Sequence, residues 1–152
     1  MLKKEIIPTR VLFLCVHNSA RSQMAEAYLK QFGGEHFHVE SAGLETGKLN
    51  PLAVEVMKED GIDISDNPTN DVFDFFKQGK LFEYVITVCD AKTAENCPVF
   101  PGMMKKLNWD FTDPSKFTGS HEEKLEATRK VRDQIKQAVI EFVKEFQVAP
   151  EG

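Results

Sequence analysis

No apolar run in the 152 residues approaches the ~20 that a membrane-spanning helix needs, so no membrane partner is expected. Positive charge is in deficit: 19 Lys and Arg stand against 24 Asp and Glu, a formal net charge of −5. A nucleic-acid partner would require a basic face for its phosphates, so none is expected, and any anionic substrate has to be attracted locally. Repeats, low-complexity stretches and linkers are missing, which points to one domain over 1–152. Cysteine is scarce, at three residues. Lys3 and Lys4 precede an apolar stretch, but Glu5 and Pro8 interrupt it and no small-residue cleavage pattern follows. The expected location is the cytoplasm, where a cysteine is more often catalytic or metal-binding than structural.

What is present is a normal globular balance, 41% apolar and 28% charged, in a chain long enough to bury a core. One stretch organises it. Val11 to Val16 is a continuous apolar run, as in a strand buried on both faces. It contains Cys15, and Arg21 follows six positions later, where a helical pattern begins. A loop of successive backbone N–H groups, closed by a helix N-terminus, is a cradle for a tetrahedral oxyanion. The same field favours a thiolate at Cys15, and the planar fork of Arg21 can hold two oxygens of the anion. The expected cradle is Val16, His17, Asn18, Ser19, Ala20, Arg21 and Ser22, with Cys15 as nucleophile.

The rest alternates strand and helix. Met24, Ala27, Tyr28 and Phe32 recur at helical spacing up to Gly33-Gly34, and Phe37, Val39 and Ser41 mark a strand ending at Gly43. Asn50-Pro51 opens a helix closed by Gly61. Asp63 to Asn70 reads as a loop, and Asp71 to Phe76 as one or two helical turns. Leu81 to Val88 is a strand ending at Cys89. Ala91 to Met104 is a long loop with a helical turn near Ala94, and Lys106 to Trp109 is a short strand. Ser120 with Glu123 is a capping box for a final helix carrying Leu125, Val131, Ile135, Val139, Phe142 and Phe146. This order implies an α/β three-layer sandwich: a four-stranded parallel sheet with helices on both faces. Ligands of such sheets bind beyond the carboxyl ends of the strands, so Cys15 and Cys89 are expected to face one crevice.

Each candidate has a plain structural reading beside the functional one. Free cysteines are often inert core residues, and Asp113-Pro114 can be a turn and no more. Arg21 at the required spacing separates Cys15 from that reading. Zinc held by Cys15, His17, Cys89 and Cys97 matches no common ligand spacing and leaves Arg21 without a role. His17 and Trp109 are assigned to structure or to the rim of the site.

Cys15-Val16-His17-Asn18-Ser19-Ala20-Arg21-Ser22-Gln23-Met24-Ala25-Glu26-Ala27 resembles the thioredoxin-coupled arsenate reductases built on the low-molecular-weight protein tyrosine phosphatase fold. So do Ser41-Ala42-Gly43, Gly61 to Ser65, Thr87-Val88-Cys89 through Cys97-Pro98, and Trp109 to Pro114. The resemblance covers nearly the whole chain. Gln23 and Ser115 stand where phosphatases of that fold usually carry Pro and an aromatic residue, and the two further cysteines match the reductases.

The resemblance implies a relay. Cys15, aided by Ser22, attacks arsenate held by Arg21, while Asp113 protonates the departing oxygen. Cys89 then attacks Cys15 and expels arsenite, Cys97 attacks Cys89, and thioredoxin or another thiol reductant reduces the Cys89–Cys97 disulfide. It implies a monomer with no tightly bound cofactor, and in some members a potassium ion at Asn18, Ser41 and Asp71. The alternative is a phosphatase using Cys15, Arg21 and Asp113, with Cys89 and Cys97 as a redox guard. Two departures stand out. The Cys89–Cys97 separation is one residue longer than the resemblance implies, and Asp90 places a carboxylate beside Cys89, opposing its thiolate unless it points away or pairs with Lys92.

Overall fold

The computed structural model describes residues 7–90, 93 and 95–148. The helical turn expected near Ala94, the pairing of Asp90 with Lys92, and Lys3 to Glu5 lie outside the described residues. Four strands form one sheet: β1 (Thr9–Cys15), β2 (Phe37–Gly43), β3 (Tyr84–Thr87) and β4 (Lys105–Asn108). Their order is β2-β1-β3-β4 and every pairing is parallel. The helices are α1 (Arg21–Gly33), α2 (Pro51–Glu59), α3 (Val72–Lys77) and α4 (His121–Val148). Short 3₁₀ turns occupy Gly34–His36 and Pro114–Lys116.

The alternation of β1 divides the core. Val11, Phe13 and Cys15 belong to one cluster, with Met24, Tyr28 and Leu29 of α1, Val56 and Met57 of α2, and Ile135 and Val139 of α4. Leu12 and Leu14 belong to the other, with Val72 and Phe75 of α3, and with Phe82, Val85 and Phe100. Side chains of successive strand residues point to opposite faces, so helices cover both sides of the sheet and the expected three layers are observed.

The caps form as the sequence implies. Asn50 Oδ1 accepts from Leu52 N at 2.9 Å with Pro51 at the first helical position. Ser120 Oγ accepts from Glu123 N at 3.1 Å, and Glu123 Oε1 accepts from Ser120 N at 3.2 Å, closing the capping box of α4. β3 is shorter than the apolar run from Leu81 to Val88. Leu81 is exposed, Phe82 turns into the cluster under α3, and Glu83 N donates to Arg10 O outside the ladder. β1 and β3 both run toward the same edge of the sheet, with Leu14 opposite Thr87, and so deliver Cys15 and Cys89 side by side.

Candidate active site

Cys15 ends β1, and residues 16–20 turn tightly into α1. The carbonyls of Cys15, Val16 and Ser19 point outward and accept from the N–H groups of Leu44 (3.1 Å), Glu45 (2.8 Å) and Asn50 (2.8 Å). In a trans peptide the N–H lies opposite the carbonyl, so the amides of Val16, His17 and Ala20 point into the loop. Asn18 adopts φ +56°, in the left-handed region, and its N–H donates to Cys15 Sγ at 3.1 Å. Among the described residues no side chain caps the N-terminus of α1, and its first turn carries no acidic residue. The unpaired N–H groups and the positive end of the helix dipole are thereby left for an anion.

A buried amide web holds this shape. Asn18 Nδ2 donates to Ser22 Oγ at 2.8 Å, and Ser22 Oγ lies 2.9 Å from Cys15 Sγ. With a donor already directed at its oxygen, Ser22 can turn its own O–H toward the Cys15 sulfur. Asn18 Oδ1 accepts from Asn70 N at 2.9 Å and from Gln23 Nε2 at 3.2 Å. Gln23 Nε2 also donates to Asn18 O (3.1 Å) and Pro68 O (2.9 Å), while its Oε1 accepts from Asn67 Nδ2 at 3.1 Å. Sequence reasoning used Gln23 only as a family marker. Its structural role was visible only as a polar residue on the otherwise inward face that also carries Met24 and Ala27.

Arg21 opens α1 and is buried, with Nη1 donating to Phe111 O at 3.2 Å and Nη2 lying 3.4 Å from Asp113 Oδ2. The other carboxylate oxygen of Asp113 accepts from Ser115 N and Ser115 Oγ, both at 2.9 Å, which caps the turn at Pro114–Lys116. Burial pushes the Asp113 carboxyl up, but the Ser115 hydrogen bonds and the charges of Arg21 and Lys116 outweigh it and hold it below its ordinary value. Asp113-Pro114 is thus a turn and also a carboxylate aimed at the cradle. An open groove of about 700 Å³ leads from the loop outward, past His17, Ser19, Asn50, Pro114, Ser115 and His121. His17 lies 3.8 Å from Glu45 at this rim. Trp109 packs on Phe13 and Phe142 and is structural.

All three cysteines are free thiols. Cys15 and Cys89 are both buried, and the groups acting on the Cys89 thiol include Arg21 and Cys15, as expected for one crevice. Burial pushes Cys89 up to about 11; Arg21 pulls the other way, and Cys15, Asp90 and Asp110 add to the rise. Asp90 turns its carboxylate to Thr93, accepting from Thr93 N at 2.8 Å and from Thr93 Oγ1, so its effect on Cys89 is a lesser one. Cys97 is half-buried against the cluster under α3, on the far side of the sheet from the Cys15 cluster. Its thiol donates to Pro98 O at 3.3 Å and is pushed up by burial. The reduced structure brings Cys15 and Cys89 together and holds Cys97 apart.

The three residues named for potassium each hydrogen-bond to other partners. Asn18 is committed to Ser22, Gln23 and Asn70; Ser41 Oγ donates to Glu26, which also pairs with Lys30; Asp71 caps α3 by accepting from Phe73 N at 2.7 Å. Asn70 enters the web where Asp71 was expected, because the chain carries Gly43 N to Asn70 O at 2.8 Å and leaves the next side chain to the helix. Among the described residues no three His, Cys, Asp or Glu side chains converge as metal ligands, so Cys15, His17, Cys89 and Cys97 do not form a zinc site.

Cys15 at the end of a central parallel strand, the loop closed by Arg21 and the facing Asp113-Pro114 turn thus converge at one edge of the sheet, the arrangement of a candidate oxyanion-handling thiol enzyme. Residues 10–150 match the family model described as low molecular weight phosphotyrosine protein phosphatase, and the chain belongs to that family. Within it the chain is similar to arsenate reductases. It is 44% identical over 132 residues to the arsenate reductase of Bacillus subtilis (strain 168), covering 87% of this chain and 93% of the relative. A solved arsenate reductase in its phosphate-binding state superposes with a TM-score of 0.73 at 31% identity, covering 90% of this chain and 98% of that one. The thioredoxin-dependent arsenate reductase of Corynebacterium glutamicum superposes with a TM-score of 0.71 at 28% identity, covering 94% of this chain and 64% of that one.

Proposed function

We propose that the chain is an arsenate reductase working through Cys15, Cys89 and Cys97, with thioredoxin or an equivalent dithiol protein as electron donor. One observation carries the reading: a second buried thiol, Cys89, shares the crevice of Cys15 and feels the charges of Cys15 and Arg21. A hydrolytic phosphatase needs only Cys15, Arg21 and Asp113.

The Cys15 thiolate, accepting from Asn18 N and Ser22 Oγ, attacks arsenic in an arsenate held by the loop amides and Arg21. An S–As bond forms and one As–O bond breaks, its oxygen leaving as water with a proton from Asp113. Binding an anion draws the Arg21 guanidinium from Asp113 and sets negative charge beside the carboxyl; both changes raise its pKa and make the proton available. Cys89 then attacks Cys15 Sγ. The S–S bond forms, the S–As electron pair passes to arsenic, As(V) becomes As(III), and arsenite leaves. Cys97 attacks Cys89 Sγ, freeing Cys15, and the donor reduces the Cys89–Cys97 disulfide. Since Cys97 starts on the other side of the sheet, the segment between Cys89 and Cys97 has to rearrange in that step. Every group comes from one chain, which is consistent with a monomer, and the reducing cytoplasm supplies the donor.

The deciding experiment compares arsenate-dependent NADPH oxidation, coupled through thioredoxin and its reductase, with hydrolysis of an aryl phosphate. Turnover with arsenate is expected, with Cys97→Ser halting after one arsenite per enzyme. Full turnover by Cys97→Ser would overturn the relay, and hydrolysis without arsenate reduction would assign the chain to the phosphatases.

A further inference from the structure

We infer that Asn108, the last residue of β4, is the positioning residue that sets Cys89 for its attack on the Cys15 adduct; this rests on the reductase reading above. The backbone ladder between β3 and β4 stops at Thr87, whose carbonyl accepts from Trp109 N at 2.7 Å. Beyond that point the Asn108 side chain continues it. Its Nδ2 donates to Cys89 O at 2.8 Å and to Thr87 Oγ1 at 2.7 Å. The orientation of the amide is fixed by its acceptors. Thr87 Oγ1 directs its hydrogen to Leu107 O at 3.2 Å, and the Cys89 carbonyl has no hydrogen to give, so only the amide nitrogen can face them. On the opposite flank Val88 N donates to Leu14 O at 2.8 Å. The chain therefore leaves the sheet braced at Val88 from β1 and at Cys89 from the β4 side, and the brace on Cys89 is one exposed side chain.

The hydrogen bonds of Asn108 go to Thr87 and Cys89 and not to the oxyanion loop or Arg21, so its consequence is confined to the second step. Attack on a sulfur in an S–As bond needs the incoming sulfur in line with that bond, and small displacements cost rate steeply. The first step uses Cys15, Arg21 and Asp113, none of which Asn108 holds. Removing the amide should therefore separate two reactions that share a nucleophile.

The test uses the full chain. Wild type, Asn108→Ala and Asn108→Asp, each with Cys97→Ser, are mixed with arsenate, and formation of the Cys15–Cys89 disulfide is followed by acid quench and mass spectrometry. Aryl phosphate hydrolysis is measured on the same proteins. Disulfide formation is expected to slow about tenfold in Asn108→Ala, one well-placed hydrogen bond's effect, and further in Asn108→Asp, whose carboxylate repels the Cys89 carbonyl. Hydrolysis should stay within about twofold of wild type, and Asn108→Gln, which keeps the donor, should recover part of the lost rate. Unchanged disulfide formation in Asn108→Ala, or a parallel loss of both reactions, overturns the role of Asn108. Failure of the Asn108-intact protein to form the disulfide overturns the reductase reading itself.

Discussion

Asp113 Oδ2 faces Arg21 Nη2 at 3.4 Å, so the proposed acid and the proposed oxyanion clamp are paired with each other. Despite burial, the Asp113 carboxyl is held below its ordinary value, by the Ser115 hydrogen bonds first and by the charges of Arg21 and Lys116 after them. A depressed folded value stabilises the fold above the unfolded Asp pKa, and that contribution is lost as pH falls through the folded one. In the proposed mechanism an anion replaces Asp113 on Arg21 and turns a carboxylate into a proton donor. Asp113→Asn should lower kcat about a hundredfold for phenyl phosphate and much less for p-nitrophenyl phosphate, whose leaving group needs no proton. Equal losses for the two esters would assign Asp113 to holding Arg21 alone.

Ser22 is positioned by Asn18 to give its hydrogen to Cys15 Sγ at 2.9 Å. A hydrogen bond to a charged group is worth about 1.5–3 kcal/mol, so Ser22→Ala should slow iodoacetamide alkylation of Cys15 at neutral pH by about tenfold or more. Mass spectrometry identifies the modified thiol. An unchanged rate would leave the loop amides as the sole activators.

The reach of the sequence was uneven for physical reasons. Local signals were sufficient where the structure is local: Asn50-Pro51 and the Ser120–Glu123 box predicted their helix starts, and Cys15 and Arg21 predicted the cradle. Signals were weak where a residue's role depends on strands distant in the chain. Gln23 is legible as a polar helix residue, but its burial against Pro68 and Asn67 comes from tertiary folding. Asn108 reads only as a residue within the short strand Lys106 to Trp109, and its bond to Cys89 spans 19 positions. Phe82 looked like strand because apolar runs do not report which residue leaves the ladder; its contact with Phe100 takes it under α3. Asp71 was named beside Asn18 and Ser41 as a potassium ligand, and the neighbour that bonds Asn18 is Asn70.

Gly43 closes β2 against the back of the cradle. A Cβ there would lie 2.7 Å from Asn18 N, Glu45 O and His17 C, all backbone atoms that cannot swing aside. Gly43→Ala should therefore push the loop open, destabilising the fold by about 1–3 kcal/mol as overpacking does. It should also remove the rise in Tm that inorganic phosphate gives the wild type by binding the native state. A lower Tm with the phosphate-dependent rise intact would show strain absorbed away from the cradle.

In the proposed relay Cys89 carries the pH dependence. Burial, opposed by Arg21, places its thiol at about 11 in the reduced protein. At neutral pH about one molecule in ten thousand therefore holds the thiolate, and only the thiolate attacks sulfur. Single-turnover formation of the Cys15–Cys89 disulfide should rise by nearly tenfold per pH unit from about pH 7 to 9, with Cys97→Ser present so that nothing drains the product. Over the same range alkylation should reach Cys15 before Cys89, because burial holds the Cys89 thiol protonated. A flat disulfide profile would mean that the Cys89 proton passes within the site to Asp113, the carboxylate left after the first step, instead of leaving to solvent.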